Sequence, residues 1–445
     1  MTTAVSKTRR VILLASSVML LAAAVACGPE GSSDSKGSTP AAADKGAAQT
    51  VEPAGRAPQV KLAGAVSLKS VQSCEDVKAA LVTYASKGFK HLTCLQKPAK
   101  APSTAPSVAA KAAASAQPMS AGAQCKVTMG LWYFTRFEAC GSASLRYDVF
   151  DTRTRKTIGG ATFTARQEII LQPKSGSWKT DVSLKLDSAW GAAKGLRASW
   201  QTACSPAAAC GAGTAWSGAR AIGVGRTLYG GTSHAWRASQ NVQGFKAQTK
   251  VTITGVGQIL LYPASFEPPG KMTIRCDKIA SGTSVGCVFP SFAPTMTLPL
   301  KNRGQANVAW SMNYLTDHWG WEGKGRPLTR EADESVVKSN RGKVCDSTFK
   351  KDPTVPEDSC DEFPFAATNQ SGAQLGLTGR NCAEIRPDMP SGGRYTVTYV
   401  NNTSGRRCTI GHVPNKENGS VGGSLSTFYQ NSRVLNDEKF WLAVR

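Results

Sequence analysis

The chemistry in this chain is concentrated in its last quarter, where Cys360 runs directly into Asp361-Glu362-Phe363-Pro364-Phe365-Ala366. Pro364 restrains Phe363 to extended backbone, so Phe363 and Phe365 share one face and can be buried together. A disulfide at Cys360 would add stiffness immediately before the two acids. Adjacent carboxylates on a stiff segment beside apolar surface can acquire a raised pKa or help hold a hard cation. A solvated turn or a helix N-cap is the plainer reading of Asp361-Glu362. Further on, Glu417-Asn418-Gly419 offers a second acid and an amide, although Asn-Gly favours turns in any case.

These groups need elements to position them. Tyr395 to Asn401 alternates as a strand, and Lys439 to Val444 closes the chain as another. Gly422-Gly423 opens an amphipathic stretch with Leu425, Phe428, Tyr429 and Leu435 at roughly helical spacing. The expected order is acidic strand, strand, acid–Asn turn, helix, strand. It brings Asp361 to Glu417 and Asn418 if the two strands form a hairpin against the helix. Other reactive residues have plainer readings. His412 is a surface or supporting histidine before it is a ligand, and Arg406-Arg407 is either a phosphate contact or a solvated loop tip. Asp317-His318-Trp319 is a tempting acid–imidazole pair, but neighbours in sequence rarely cooperate.

At these residues the chain resembles a known family. Cys-Asp-Glu-Phe-Pro-Phe-Ala at 360–366, Glu417-Asn418, the Gly pair and Asp437-Glu438-Lys439-Phe440 look like the NucA/NucB deoxyribonucleases, a family of secreted bacterial nucleases. Asn340-Arg341 before Cys345 fits the lead-in of its actinobacterial members. The resemblance covers roughly Arg330 to Arg445. It implies a compact ββα-metal domain with one divalent cation, in which an Asp takes the place of the His that related nucleases use as general base. By motif match that Asp is Asp361. Glu362 and Glu417 would then touch the metal or its water, and Asn418 would be a ligand or an orienting amide. Oxygen ligation suits Mg²⁺, Mn²⁺ or Ca²⁺. Arg341, Arg406, Arg407 and Lys416 are the candidate contacts to a DNA, or RNA, substrate.

The rest of the chain bounds this reading. Its 445 residues carry 53 Lys and Arg against 30 Asp and Glu, a net charge of +23, which favours polyanionic partners. From Arg330 onward 15 basic residues face 14 acidic ones, a net of +1, so +22 lies upstream. Long-range attraction to DNA, or to an anionic cell-wall polymer, would therefore come from upstream of the acid pair.

Lys7, Arg9 and Arg10 precede the apolar run Val11–Ala26, too short for a comfortable span and shaped like an export signal. Ala24-Val25-Ala26-Cys27 resembles a lipobox, which would anchor the mature chain to a membrane through a lipidated Cys27. Plain secretion is the alternative. The remaining twelve cysteines read as a disulfide framework of sequence neighbours, 74–94, 125–140, 204–210, 276–287, 345–360 and 382–408. Without a CxxC, zinc has no support.

The expected fold class is α+β, a β-rich sandwich-like module followed by a small disulfide-stabilised domain. The expected segments are a leader at 1–27, a linker at 28–70, a disulfide-closed helical segment at 71–96, an Ala/Pro linker at 97–124, the β-rich module at 125–325 and the nuclease-like domain at 330–445. His234 in the β-rich part is read as an ordinary hydrogen-bonded or surface histidine. The expected protein is an extracellular, metal-dependent, nonspecific endonuclease with no obligate protein partner. The rivals are a non-enzymatic envelope lipoprotein that retains a nuclease-like shell and a contact-dependent toxin.

Overall fold

The computed structural model describes residues 73–96, 130, 132–265, 272–280, 284–390, 394–401 and 405–445. The expected leader, the lipidated Cys27 and the linkers at 28–70 and 97–124 lie outside the described residues. No described helix is long and apolar enough to cross a membrane.

Period-two patterning builds the first half. In the strand Ser177–Gly191, Trp178, Thr180, Val182, Leu184 and Leu186 are buried while Lys179, Asp181 and Lys185 are exposed. That is the alternation of a strand wet on one face. It lies in a seven-stranded sheet with the long strands Glu138–Asp151 and Thr157–Ile170. A second seven-stranded sheet is built around Val242–Thr254 and Arg197–Ser205. Leu145, Phe163 and Leu184 from the first sheet share one core with Trp200, Val251 and Ile274 from the second.

The expected disulfide-closed helical segment is formed and packs onto the first sheet. Helix α1 (Cys74–Ala85) is tied by the Cys74–Cys94 disulfide to the strand His91–Gln96. That strand sits in the first sheet between Ile259–Tyr262 and Glu138–Asp151. His234 is buried, stacked on Trp178 at 5.3 Å and bonded to the Thr202 hydroxyl at 3.0 Å.

The second core runs from Met296 to Leu442, so the C-terminal unit takes in residues well before 330. Strand Thr295–Leu298 lies parallel to the final strand Lys439–Val444, which also pairs with Leu328–Thr329. Helices α2 (Arg303–Tyr314), α3 (Glu334–Val344) and α4 (Asn415–Asn431) surround a four-stranded sheet ordered Asp358–Phe363, Thr409–Pro414, Ala383–Asp388, Thr396–Tyr399. Two expectations are corrected here. The acidic strand pairs not with Thr396–Tyr399 but antiparallel with Thr409–Pro414. Helix α4 begins at Asn415, so Glu417 and Asn418 belong to its first turn and not to a preceding turn. The reason is packing: Val421, Leu425 and Tyr429 fall on one face and are buried, which outweighs the poor helix propensity of Gly419, Gly422 and Gly423.

Buried charge joins the two cores. Arg433, fully buried, pairs with the Asp277 carboxylate and donates to the carbonyls of Asp277 at 2.7 Å, Pro173 at 2.8 Å and Ser284 at 3.1 Å. Arg136 donates to Glu438 at 2.6 Å and to the Ser432 carbonyl at 2.8 Å. Five of the six expected disulfides are formed as neighbours: 74–94, 204–210, 276–287, 345–360 and 382–408. Cys140 is also disulfide-bonded, and Cys125 lies outside the described residues.

Candidate active site

The acidic strand Asp358–Phe363 occupies an edge of its sheet. Its residues alternate between faces, which sends Asp361 toward α2 and Glu362 toward α3. Phe363 and Phe365 are buried edge-to-face with ring centroids 5.3 Å apart, which anchors the end of the strand in the second core as the aromatic-Pro-aromatic pattern requires. The Cys345–Cys360 disulfide ties the residue before Asp361 to the end of α3.

Asp361 is 4 % exposed. The Asn307 amide on α2 donates to its main-chain carbonyl at 2.9 Å and to its Oδ2 at 3.1 Å. Burial first, and the neighbouring Glu362 charge second, push the Asp361 carboxyl up to about 8, with Asn307 and Arg341 opposing the rise. Glu362, also buried, accepts from the Arg341 guanidinium at 3.1 Å. From the first turn of α4, Asn418 donates through Nδ2 to the Ser359 hydroxyl at 3.2 Å and the Cys360 carbonyl at 3.0 Å, and its Oδ1 has no hydrogen-bond partner among the described residues. Asp361, Glu362, Asn418, Arg341 and Arg330 line one cavity of about 180 Å³.

The donor set this cavity offers is the buried carboxylates of Asp361 and Glu362, the further carboxylates of Glu331 and Glu334 in its lining, and the Asn418 amide oxygen, hard ligands of the kind a divalent cation prefers. Two buried carboxylates with one elevated pKa are short of positive charge, which a cation would supply. The residues therefore fit such an ion. Cys345, Cys360 and Glu362 also bring ligand atoms within 4.8 Å of one another. The two sulfurs are bonded to each other, so while oxidised they offer no thiolate to a soft metal.

The remaining expected residues lie elsewhere. Glu417 does not line the cavity; its Oε2 accepts from the Arg303 backbone at 2.6 Å. Lys416 is exposed beside it on α4. Arg407 pairs with Asp317 at 2.7 Å, and Arg406 donates to the Asn381 carbonyl at 3.2 Å; neither lines the cavity. His318 contacts the Met312 carbonyl at 2.8 Å instead of acting with Asp317. His412 is buried between Asp358 at 2.7 Å and Glu384 at 3.1 Å and stacked on Phe349, a supporting position.

Sequence reasoning missed Asn307 and Arg330. Arg330 stands over the Tyr429 ring at 4.6 Å, and nothing in its local sequence distinguishes it from other arginines. Asn307 lies on a helix more than fifty residues upstream of the acids, where no motif marks it.

A mixed α+β, disulfide-stabilised domain with a carboxylate–amide cavity is the class these observations define. Residues 321–443 of the chain match the family model described as deoxyribonuclease NucA/NucB. No curated protein matches the chain.

Proposed function

We propose that the C-terminal domain is a divalent-cation-dependent, sequence-nonspecific endonuclease that hydrolyses phosphodiester bonds of extracellular DNA. The observation that carries this reading is the buried Asp361, held by Asn307, on a cavity it shares with Glu362 and Asn418 inside the stretch that matches the deoxyribonuclease family. The antiparallel pair Asp358–Phe363 and Thr409–Pro414 leading straight into α4 supports a ββα-metal arrangement.

The chemistry divides among named residues. Asp361 is the general base that takes a proton from the attacking water. Its elevated pKa suits that task, because a base works best when its pKa lies near the working pH. Glu362 and the Asn418 Oδ1 are the groups that would hold a Mg²⁺, Mn²⁺ or Ca²⁺ ion beside that base. Such an ion, when bound, supplies Lewis-acid stabilisation of charge on the phosphate and leaving oxygen. Arg341 and Arg330, at the cavity wall, offset the charge of the polynucleotide.

Disulfides throughout the described chain suit an oxidising, extracytoplasmic setting, in line with export through the N-terminal signal and with either release or anchoring at Cys27. The excess positive charge upstream of Arg330 would draw DNA or a wall polymer toward the surface. The test is incubation of the mature protein with plasmid, with and without EDTA, followed by return of each cation. Cleavage that stops with chelator and resumes with cation supports the enzyme. Intact plasmid under every cation would leave the non-enzymatic envelope protein.

A further inference from the structure

We propose that Asn307, on a helix outside the family-matched residues 321–443, is the positioning residue for Asp361. This rests on the reading of Asp361 as the general base.

Four observations carry it. First, Asn307 is fully buried and spends its Nδ2 on Asp361 alone, gripping both the main-chain carbonyl at 2.9 Å and the carboxylate at 3.1 Å. A donor that holds backbone and side chain of one residue together restricts both the place and the rotation of that side chain. With Oδ2 occupied, Oδ1 is the Asp361 oxygen left free of protein partners to receive a proton from water.

Second, Asn307 Oδ1 is buried with no partner among the described residues. An unpaired buried amide oxygen carries a desolvation penalty that an apolar side chain of the same shape would avoid. Packing alone therefore gives no reason for an asparagine at this place, whereas the bond to Asp361 does.

Third, the sheet makes room for the amide. Gly411 lies opposite Asp361 in the register, and a Cβ there would come within 2.6 Å of Asn307 Cγ.

Fourth, α2 is pinned on both sides of Asn307. Glu417 accepts from the Arg303 backbone at 2.6 Å, and Gly304 lets the helices approach so closely that a Cβ would lie 2.9 Å from Val421. One turn beyond Asn307, the Ser311 hydroxyl bonds Thr409 at 2.9 Å. The first turn of α4, which carries Asn418, thus sets the register of the helix that carries Asn307. The helix that holds Asp361 and the helix that carries Asn418 are referenced to the same frame.

The test uses the full mature chain and steady-state plasmid cleavage. Asn307→Leu keeps the shape of the side chain and deletes the donor. The expected result is a fall in kcat on the order of 10²-fold, the usual consequence of a misplaced reacting group, with KM for DNA unchanged. The same substitution in an Asp361→Asn background is expected to lower the residual rate no further, because the group being positioned is gone. Should the Leu variant fail to fold, Asn307→Ala is read in the same way. Wild-type kcat in a folded variant, or an equal fall in both backgrounds, overturns the proposal, since an equal fall is what a structural role produces. A fully active Asp361→Asn enzyme would instead overturn the functional reading itself.

Discussion

Glu417 Oε2 accepts a hydrogen bond from the backbone nitrogen of Arg303 at 2.6 Å and so joins the first turn of α4 to the first turn of α2. The acid sits where an unsatisfied helix N–H and the positive end of the helix dipole both favour it. Its neighbour Asn418 meanwhile holds the acidic strand through the Cys360 carbonyl. The acid–amide pair thus works as two struts, one to α2 and one to the acidic strand. Glu417→Ala should cost about 1 kcal/mol of stability, as loss of a cap does, and leave divalent-cation affinity unchanged in calorimetric titration. A collapse of cation affinity in a folded Glu417→Ala protein would return this residue to the ligand set.

Removing the proposed base is the most direct test of the chemistry. Asp361→Asn keeps an oxygen to accept from Asn307, so the fold should persist. Plasmid cleavage should fall by about 10²- to 10⁴-fold, the usual contribution of general-base catalysis. Circular dichroism on the same preparation establishes that the loss is chemical.

The stability of the metal-free protein should depend on pH through the same residue. The Asp361 carboxyl is raised from 3.8 to about 8 by burial and by Glu362, so the folded state binds its proton more tightly than the unfolded chain does. This contribution is present in full below the unfolded pKa, is lost as pH climbs from about 4 to about 8, and is absent above. Thermal melts in EDTA should show the midpoint falling across that window. Asp361→Asn should flatten the fall, and a divalent cation should restore the midpoint at the alkaline end.

Arg433 offers a test of how the two cores are joined. It is fully buried, paired with Asp277 and bonded to three carbonyls. Truncation of one partner leaves the other charge buried and alone, which costs about 3 to 5 kcal/mol. Asp277→Ala should therefore lower the urea midpoint sharply, read by tryptophan fluorescence, although it lies far in sequence from the cavity. A mild effect would mean that the β-rich part and the C-terminal unit are stable independently.

The motif at 360–366 was legible because its features are local: an acid pair, a proline, and aromatics that alternate into the second core. The strands of the β-rich part were legible for the same reason, since period two is written in consecutive residues. Legibility failed where a residue's role depends on a distant partner. Glu417 reads as a ligand by motif, yet Arg303, more than a hundred residues away, claims its carboxylate. Thr409–Pro414 was not read as a strand, although it lies between the acidic strand and Ala383–Asp388. All but Pro414 of its residues are buried, so it lacks the alternation that betrays a half-exposed strand.

By itself, then, the amino-acid order marked the acid pair at 361–362, the cysteine neighbours that pair and the places where extended backbone prevails, because each of these follows from near neighbours. Tertiary structure decided which amide grips Asp361, which acid caps a helix instead of facing the cavity, and where the C-terminal unit begins. Those outcomes depend on contacts that exist only once the chain has closed on itself, when burial makes every unpartnered polar atom costly and so selects among partners that linear order leaves equal.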